Sequence, residues 1–255
     1  MSPALSLTTR EMVRFLRQRN RVIGALLTPV VFWLLIGTGV GDSFRAPGAE
    51  EIGYTRFFFP GTVLMIVLFT AIFSTISLIE DRREGFLQSV LISPAGRSAV
   101  VGGKVLGATL LAAGQAVLFL VLAPAVGFIP SFVGLLVALV LIVLVSFALA
   151  AVGFCVAWPS SSTAGFHAIM NLVLMPAWFL SGALFPLREG MFGPMKWVML
   201  ANPLTYALSG IRWGLSGEHL SDAEPHLAVS FVVTTLFAVA CLAVAYLVAG
   251  RRVQA

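Results

Sequence analysis

Long unbroken runs of apolar residues dominate the chain, and short polar segments separate them. Six runs reach the roughly 20 residues that a helix needs to cross the hydrocarbon core of a bilayer. They lie at residues 22–41, 58–79, 105–126, 132–157, 165–184 and 227–249. A transmembrane β-barrel would instead show segments of about ten residues that alternate between apolar and polar side chains. The pattern therefore predicts an all-α polytopic membrane protein, with six transmembrane helices in a single domain over residues 1–255.

The composition supports this class of protein. Of the 255 residues, 59% are hydrophobic and only 11% are charged, whereas about a quarter of the residues of a soluble domain are charged. So little charge excludes a water-soluble domain, and so high an apolar fraction excludes disorder. The net charge of +5 would also suit nucleic acid. However, the basic residues lie between the apolar runs, as topology signals do, so no nucleic-acid partner is expected.

The basic residues are distributed unevenly between the two sides of the predicted bundle. The N-terminus, the connections 80–104 and 158–164 and the C-terminus share one side, which holds eleven Lys and Arg residues. The other side holds five. Lysine and arginine are enriched in cytoplasmic connections. We therefore expect both termini to be cytoplasmic.

The segment before the first run carries a stripe of arginines. On a helix, spacings of four, three and four residues place them on one side: Arg10, Arg14, Arg17 and Arg21. Apolar residues such as Met12 and Leu16 fall on another side. This pattern predicts an amphipathic helix at the membrane interface, with its arginines toward anionic lipid headgroups. It leaves open whether the helix is only a topology signal or also contacts a cytoplasmic partner.

The connection 80–104 begins with five consecutive charged residues, Glu80–Glu84, which we expect to end the second span. Apolar residues then recur at helical spacing, at Phe86, Leu87, Val90 and Leu91. Ser93-Pro94 should end this helix, because a residue before proline avoids the α conformation. The pattern predicts a short amphipathic helix outside the bilayer, tethered to a span at each end. A solvated loop with one helical turn is an equal alternative.

The connection 185–226 is too broken by proline to span the membrane, and it carries several aromatic residues. Such a composition is typical of a hairpin or of interfacial segments that dip into one leaflet. Within it, residues 204–216 are expected to form a helix along the surface. Asp222 and Glu224 should mark the aqueous end before the last span.

Searches for catalytic chemistry find no candidate. The chain has no G-x-x-x-x-G-K-[ST] phosphate loop and no His or Cys pattern of a metal site, so we predict no catalytic, cofactor-binding or metal-binding residue. The six runs contain no Asp, Glu, Lys or Arg, which argues against an ion-coupled transporter. Polar side chains in the runs either line a substrate path or make ordinary helix contacts: Thr28, Ser74, Thr75, Ser77, Asn171 and Ser181.

Three motifs in this order resemble those of a known family. The first is Phe59-Pro60-Gly61 at the start of the second run. The second extends from Arg83-Glu84-Gly85 to Ser93-Pro94 and on to Arg97 and Gly103-Lys104. The third is Asn202-Pro203-Leu204-Thr205-Tyr206, followed by Arg212. Together they resemble the membrane permease subunit of ABC-2 type exporters, above all its drug-resistance and nodulation-factor branches.

The resemblance implies an assembly in the cytoplasmic (inner) membrane of a bacterium. Two permease protomers, expected to form a homodimer among membrane lipids, would each bind one cytoplasmic ATPase subunit that holds the ATP and Mg²⁺. The N-terminal helix, at about residues 5–20, would also contact the ATPase. Re-entrant helices between the fifth and sixth spans would close the pathway on the outside.

The resemblance also assigns a coupling helix, at about residues 84–93, to the connection after the second span. Its ATPase-coupling residues would be Arg83, Glu84, Gly85, Phe86, Leu87, Val90, Leu91, Ser93 and Pro94. Phe86 departs from the family pattern, which has a small hydroxyl residue there. The implied function is export of an amphiphilic or lipid-linked substrate (a drug, glycolipid or polysaccharide). The alternatives are a non-transporting membrane partner of an ATPase and a secondary transporter.

Overall fold

The computed structural model describes residues 2–40, 53–92, 96–188, 190–219 and 221–250. These residues form helices and their connections, without a β-strand among them. The helices in chain order are α1 (Pro3–Arg17), α2 (Arg19–Val40), α3 (Tyr54–Arg83), α4 (Phe86–Leu91), α5 (Gly96–Leu120), α6 (Phe132–Ala157), α7 (Thr163–Trp178), α8 (Gly193–Ala201), α9 (Pro203–Ser216) and α10 (Leu227–Gly250). A 3₁₀ turn, Ala123–Val126, follows α5, and a π-helical turn, Phe179–Ala183, continues α7.

Six of these elements are long and apolar enough to cross a membrane. They are α2, α3, α5, α6, α7 with its π-helical turn, and α10. Each corresponds to one of the six runs predicted from the sequence, so the predicted fold class is confirmed. The helices between them, α4, α8 and α9, are too short to span, as is α1 before the first span.

Hydrogen bonds between distant segments show which parts of the chain meet at one end of the bundle. Arg82, at the end of α3, donates to the carbonyl of Ser160 at 2.9 Å. Arg97, at the start of α5, donates to the carbonyl of Gly250 at 2.7 Å. Together with α1 and α4, these segments form what we call the α1 end. The opposite end, which carries α8 and α9, is the α9 end.

Helix α3 is the centre of the bundle and is buried for most of its length. It packs against α2, α5 and α6, while α10 lies on the far side of α6. Near the α9 end, aromatic rings on α3 pack against neighbouring helices. The rings of Phe59 and Phe119 stack at 4.7 Å, and Trp33 packs edge-on against Phe59 at 5.6 Å. These ring contacts join α2 and α5 to α3.

Two predicted spans have other boundaries in the structure. The second span was expected at 58–79, but α3 has 30 residues and continues through Arg83. The charged run Glu80–Arg83 therefore prolongs the helix instead of ending it, because other helices supply partners for its side chains. The third span, expected at 105–126, begins at Gly96 and ends at Leu120.

Helix α9 does not lie along the surface, as the sequence had suggested for 204–216. Its bounds agree closely with that prediction, but it is inserted between α6 and α10 and is largely buried. Glycines allow this close packing against α6. A Cβ atom on Gly214 would lie 2.7 Å from the carbonyl oxygen of Gly134 and 2.9 Å from the Cβ of Ala138.

Replacing Gly214 by alanine should therefore force α9 away from α6. We expect a loss of about 1–3 kcal/mol of folding free energy, as for other overpacked cores. Thermal unfolding of the purified variant in detergent measures it. Gly114→Ala on α5 is the matched control, because a Cβ there meets no atom within 4 Å. Equal unfolding temperatures for the two variants would contradict the close packing of α9.

Candidate functional site

At the α1 end, helix α1 lies directly on α5. Two glycines of α5 make the close approach possible: a Cβ on Gly103 would lie 3.0 Å from the carbonyl oxygen of Ala4, and one on Gly107 would lie 2.9 Å from the Cβ of Glu11. The hydroxyl of Thr8 donates to the carbonyl of Gly103 at 3.3 Å. Small residues at this spacing bring helix backbones together, so α1 is docked on α5 instead of floating free.

The contact between α1, α3 and α5 encloses a buried cluster of charges. Glu11, Asp81 and Lys104 are only 5%, 0% and 4% exposed. The ammonium of Lys104 lies 2.8 Å from Oε1 of Glu11, and it also pairs with Asp81. The hydroxyl of Ser77 donates to Glu11 at 2.5 Å and accepts from Lys104 at 3.0 Å. One residue from each helix thus contributes a charge, so we call these four residues the buried charge cluster.

Arginines surround the buried charge cluster. Arg10 forms two hydrogen bonds with the carboxylate of Asp81, at 2.9 and 3.1 Å. Arg14 bonds to Asp81 at 2.5 Å and to Glu80 at 3.0 Å, and Arg21 also pairs with Glu80. Burial acts to lower the pKa of Arg10, but the hydrogen bond and charge of Asp81, with nearby carboxylates, raise the pKa above its usual value.

The expected direction of the arginine stripe, toward lipid headgroups, was thus wrong for Arg10, Arg14 and Arg21. These three face the carboxylates of α3, because an opposite charge nearby is a better partner than solvated headgroups. Arg21 also belongs to a different helix, since the chain leaves helical geometry at Gln18, with φ −87° and ψ 73°. Arg17 alone remains exposed, without an ion pair to any residue that the structure describes.

Helix α4 follows α3 after a sharp turn. Gly85 adopts φ +76°, a left-handed conformation that favours glycine. Beyond it, the guanidinium of Arg10 lies 3.7 Å from the centre of the Phe86 ring, a cation–π contact. Leu87 is buried in the core of the bundle. Helix α4 is therefore held by α1 and α3 and not attached only at its two ends.

The predicted coupling residues divide between two faces of α4. Phe86, Leu87 and Val90 pack inward, whereas Gln88 and Ser89 are exposed. The residues before the helix bind neighbours, as Arg83 donates to the carbonyl of Ser161 at 2.9 Å and Glu84 accepts from Arg14 at 3.3 Å. The side chain of Leu91 and residues Ser93 and Pro94 lie outside the described part. Coupling by these residues stays a prediction.

The predicted path residues do not converge on one site. Four of them are buried inside the chain: Ser74, Thr75, Ser77 and Ser181. Three of these donate to backbone carbonyls of their own helices, Ser74 to Thr70 at 2.7 Å, Thr75 to Ala71 at 3.1 Å and Ser181 to Trp178 at 2.7 Å. The hydroxyl oxygen of Ser77, which bonds to Glu11, also lies 2.9 Å from the carbonyl oxygen of Ser74. Thr28 and Asn171 are exposed on α2 and α7. A role in a path stays a prediction for all six.

At the α9 end, the structure contains a second buried ion pair, which was not predicted from the sequence. Arg212 on α9 pairs with Glu224, donates to the carbonyl of Gly182 at 3.2 Å and lies 4.9 Å from the centre of the Phe57 ring. Glu224 is only 6% exposed, so it does not mark an aqueous end as expected. Arg212 thus joins α9 to α3, to the π-helical turn after α7 and to the connection before α10.

The motif at 202–206 shapes the start of α9. The side-chain oxygen of Asn202 accepts from the backbone N–H of Leu204 at 3.0 Å, and its amide donates to the carbonyl of Ala177 at 2.5 Å. Such capping satisfies backbone groups that a helix end leaves without partners. Pro203 occupies the first helical position, where its missing N–H costs nothing. The motif thus fixes both where α9 begins and how it meets α7.

Comparison with known proteins agrees with this architecture. The sequence model of the ABC-2 type transporter family matches residues 4–215. Nodulation protein J of Rhizobium leguminosarum bv. viciae is 26% identical over 212 residues, which cover 82% of this chain and 80% of that protein. The daunorubicin resistance ABC transporter permease protein DrrB1 of Streptomyces coeruleorubidus is 25% identical over 241 residues, 93% and 84% of the two chains. The inner membrane transport permease YadH of Escherichia coli K12 is 26% identical over 243 residues, 92% and 90%.

Proposed function

Because the chain belongs to the ABC-2 type transporter family, we propose that it is the membrane-spanning subunit of an ATP-driven exporter in the cytoplasmic membrane of a bacterium. Permeases of this family are transport components that work with ABC ATPase partners. We propose a homodimer of this chain with two copies of a cytoplasmic ATPase that holds the ATP and Mg²⁺. The α1 end and both termini face the cytoplasm, since their side carries eleven of the sixteen Lys and Arg residues.

The two-faced helix α4 is the observation that carries this proposal. Its inner face is fixed to α1 and α3 through Phe86 and Leu87. Its outer face ends in Ile92, which is 88% exposed. We propose that Ile92, together with the exposed Gln88 and Ser89, forms the contact with the ATPase. A partner that moves the outer face therefore moves the inner face with it.

The buried charge cluster extends that linkage into the membrane. Arg10 contacts both the Phe86 ring on α4 and the Asp81 carboxylate on α3. Asp81 in turn pairs with Lys104 of α5. A displacement of α4 therefore shifts α1, α3 and α5 as one unit. We infer that this unit transmits the ATPase cycle to the spans.

The proposed cargo is an amphiphilic or lipid-linked molecule. The six apolar runs contain no charged residue, so a path between the spans suits a substrate with a large apolar part. The relatives named for daunorubicin resistance and for nodulation come from the same family. Neither name identifies the substrate of this chain.

Replacing Ile92 by aspartate should disrupt the proposed ATPase contact without unfolding the permease. Loss of an anchoring side chain from an interface costs about 2 kcal/mol or more, so the Kd should rise about 30-fold. Binding of the purified ATPase to permease in nanodiscs, followed by biolayer interferometry, measures the Kd.

Ile129→Asp supplies a matched control at the other end of the bundle. Ile129 is 89% exposed, like Ile92, but it lies in the connection between α5 and α6 at the α9 end. Its replacement should leave the Kd unchanged. If the Ile129 variant loses binding and the Ile92 variant does not, the proposed orientation of the protein is reversed.

A further inference from the structure

We propose that a cavity between α6 and α7 at the α1 end binds an amphiphile with an anionic head group. The cavity has a volume of about 510 Å³ and extends from the last turn of α6, along the loop 158–162, to the first turns of α7. This volume lies within the range of small-molecule sites. The path residues predicted from the sequence do not line it.

The lining of the cavity is itself amphiphilic. Val156 and Ile169 form an apolar wall on the two spans, with the fully buried Phe166 beneath it, and the serines of the loop, Ser160–Ser162, form a polar rim. The loop lies where the two helices leave the hydrocarbon layer. An alkyl chain would therefore contact the apolar wall, and a polar head group would contact the serines of the rim. Among these serines, Ser161 is the exposed one.

Two arginine side chains lie next to the serine rim. None of the described residues that line the cavity is charged. However, Arg82 donates to the carbonyl of Ser160 at 2.9 Å, and Arg83 donates to the carbonyl of Ser161 at 2.9 Å. The acidic residues next to these two arginines are both paired with other cations, Asp81 with Arg10, Arg14 and Lys104, and Glu84 with Arg14 at 3.3 Å. The charge that reaches the rim is therefore positive, and a phosphate or carboxylate head group suits it.

The two arginines also connect the cavity to α4. Arg82 and Arg83 form the last turn of α3, and Gly85 alone separates Glu84 from the start of α4. An occupant that displaces the serine loop therefore displaces the attachment of α4. We infer that occupancy of the cavity stimulates the ATPase, an inference that rests on the proposed function. Binding itself does not depend on that function.

Binding is tested on the permease alone. Cys155 lines the cavity, and replacing Cys241 by alanine leaves it as the single thiol of the chain, which has two cysteines. The variant is placed in phosphatidylcholine nanodiscs and labelled with N-ethylmaleimide. Dodecyl phosphate at ten times its Kd leaves about one site in eleven empty, so the labelling rate should fall about tenfold. An unchanged rate, or equal protection by inorganic phosphate, would overturn the proposal.

Changing the lipid of the nanodisc shows whether the occupant is a membrane lipid or another amphiphile. If phosphatidylglycerol in the nanodisc protects Cys155 without dodecyl phosphate, the occupant is a membrane lipid. If only dodecyl phosphate protects, the site takes a single-chain amphiphile such as a cargo molecule. Both results support an amphiphile site. Equal protection by dodecyl maltoside, which has the same chain and no charge, would refute the anionic preference.

A pair of α7 variants locates the site independently. Ile169→Trp should fill the cavity and reduce the dodecyl phosphate retained in native mass spectra. Leu172→Trp is the control, because Leu172 is 77% exposed on the same helix and does not line the cavity. Equal retention by both variants would place the ligand elsewhere.

The proposed effect of the cavity on the ATPase through α4 is measured in the complex of permease and ATPase. Dodecyl phosphate should raise ATP hydrolysis in the complex, and Ile169→Trp, which fills the cavity, should reduce this stimulation, whereas the control Leu172→Trp should keep it. Retention without stimulation in the wild-type complex would refute the link to α4. If no complex forms at all, the proposed function fails, and the labelling result still decides the cavity.

Discussion

Replacing Asp81 by asparagine is expected to destabilise the folded protein by about 3–5 kcal/mol, the typical cost of breaking a buried ion pair by removing one partner. Asp81 is fully buried and pairs with Lys104 of α5 and with Arg10 and Arg14 of α1. Asparagine keeps the shape but removes the charge, so these three cations must share the remaining carboxylates. Unfolding by sodium dodecyl sulfate, followed by circular dichroism, measures the loss.

Glu84→Gln is the matched control for this loss. Its carboxylate is 59% exposed and bonds to Arg14 at 3.3 Å, and exposed pairs contribute about 0–1 kcal/mol. The double variant Asp81→Asn, Lys104→Met should lose less than the sum of its two single variants, by about 0.5–3 kcal/mol. Additive losses would show that Asp81 and Lys104 do not interact.

Replacing Arg212 by methionine should produce the second large effect, at the opposite end of the bundle. Glu224 would lose its guanidinium partner while it stays buried, which costs about 3–5 kcal/mol. Helix α9 would also lose its bond to the carbonyl of Gly182. Because Arg212 links α9 to the turn after α7, the damage should be local. We expect α9 and α10 to gain hydrogen–deuterium exchange, measured by mass spectrometry in detergent.

Lys196→Met tests whether loss of any cation at the α9 end has this effect. Lys196 lies on α8 and forms no ion pair with a residue that the structure describes. Its exchange and unfolding should match those of the wild type. Wild-type exchange in the Arg212 variant would contradict a stabilising role for the buried pair.

The fold was predictable because six apolar runs leave a helical chain in lipid few alternatives. What the pattern missed is where the helices continue past the bilayer. At Glu80–Arg83 the sequence shows only a change from apolar to charged residues, which resembles the end of a span. The helix continues there because α1 and α2, distant in sequence, supply Arg10, Arg14 and Arg21 as partners. Hydropathy within one segment carries no information about such partners.

The buried charges were overlooked for a related reason. Lys104 was assigned to a connection, and Glu11 was not singled out. One signal was present: basic residues at helical spacing on α1 and three acids at the end of α3 have complementary charges. That complementarity predicts contact between α1 and α3. The glycines of α5 that allow α1 to pack closely could not be recognised as a contact site from the sequence, because nothing in it shows which helix packs there.

The docking of α1 has a consequence for how the chain is made. Glu11 meets Lys104, and Thr8 meets Gly103, across more than ninety residues of sequence. When α3 first enters the membrane during synthesis, the lysine that pairs with Asp81 has not yet been inserted. Arg10 and Arg14 of the N-terminal helix are available to Asp81 at that stage, but the contact with Lys104 forms only once the third span is in place. A chain truncated before residue 104 should therefore leave Asp81 with only part of its partners, and we expect it to be degraded faster than the full-length protein.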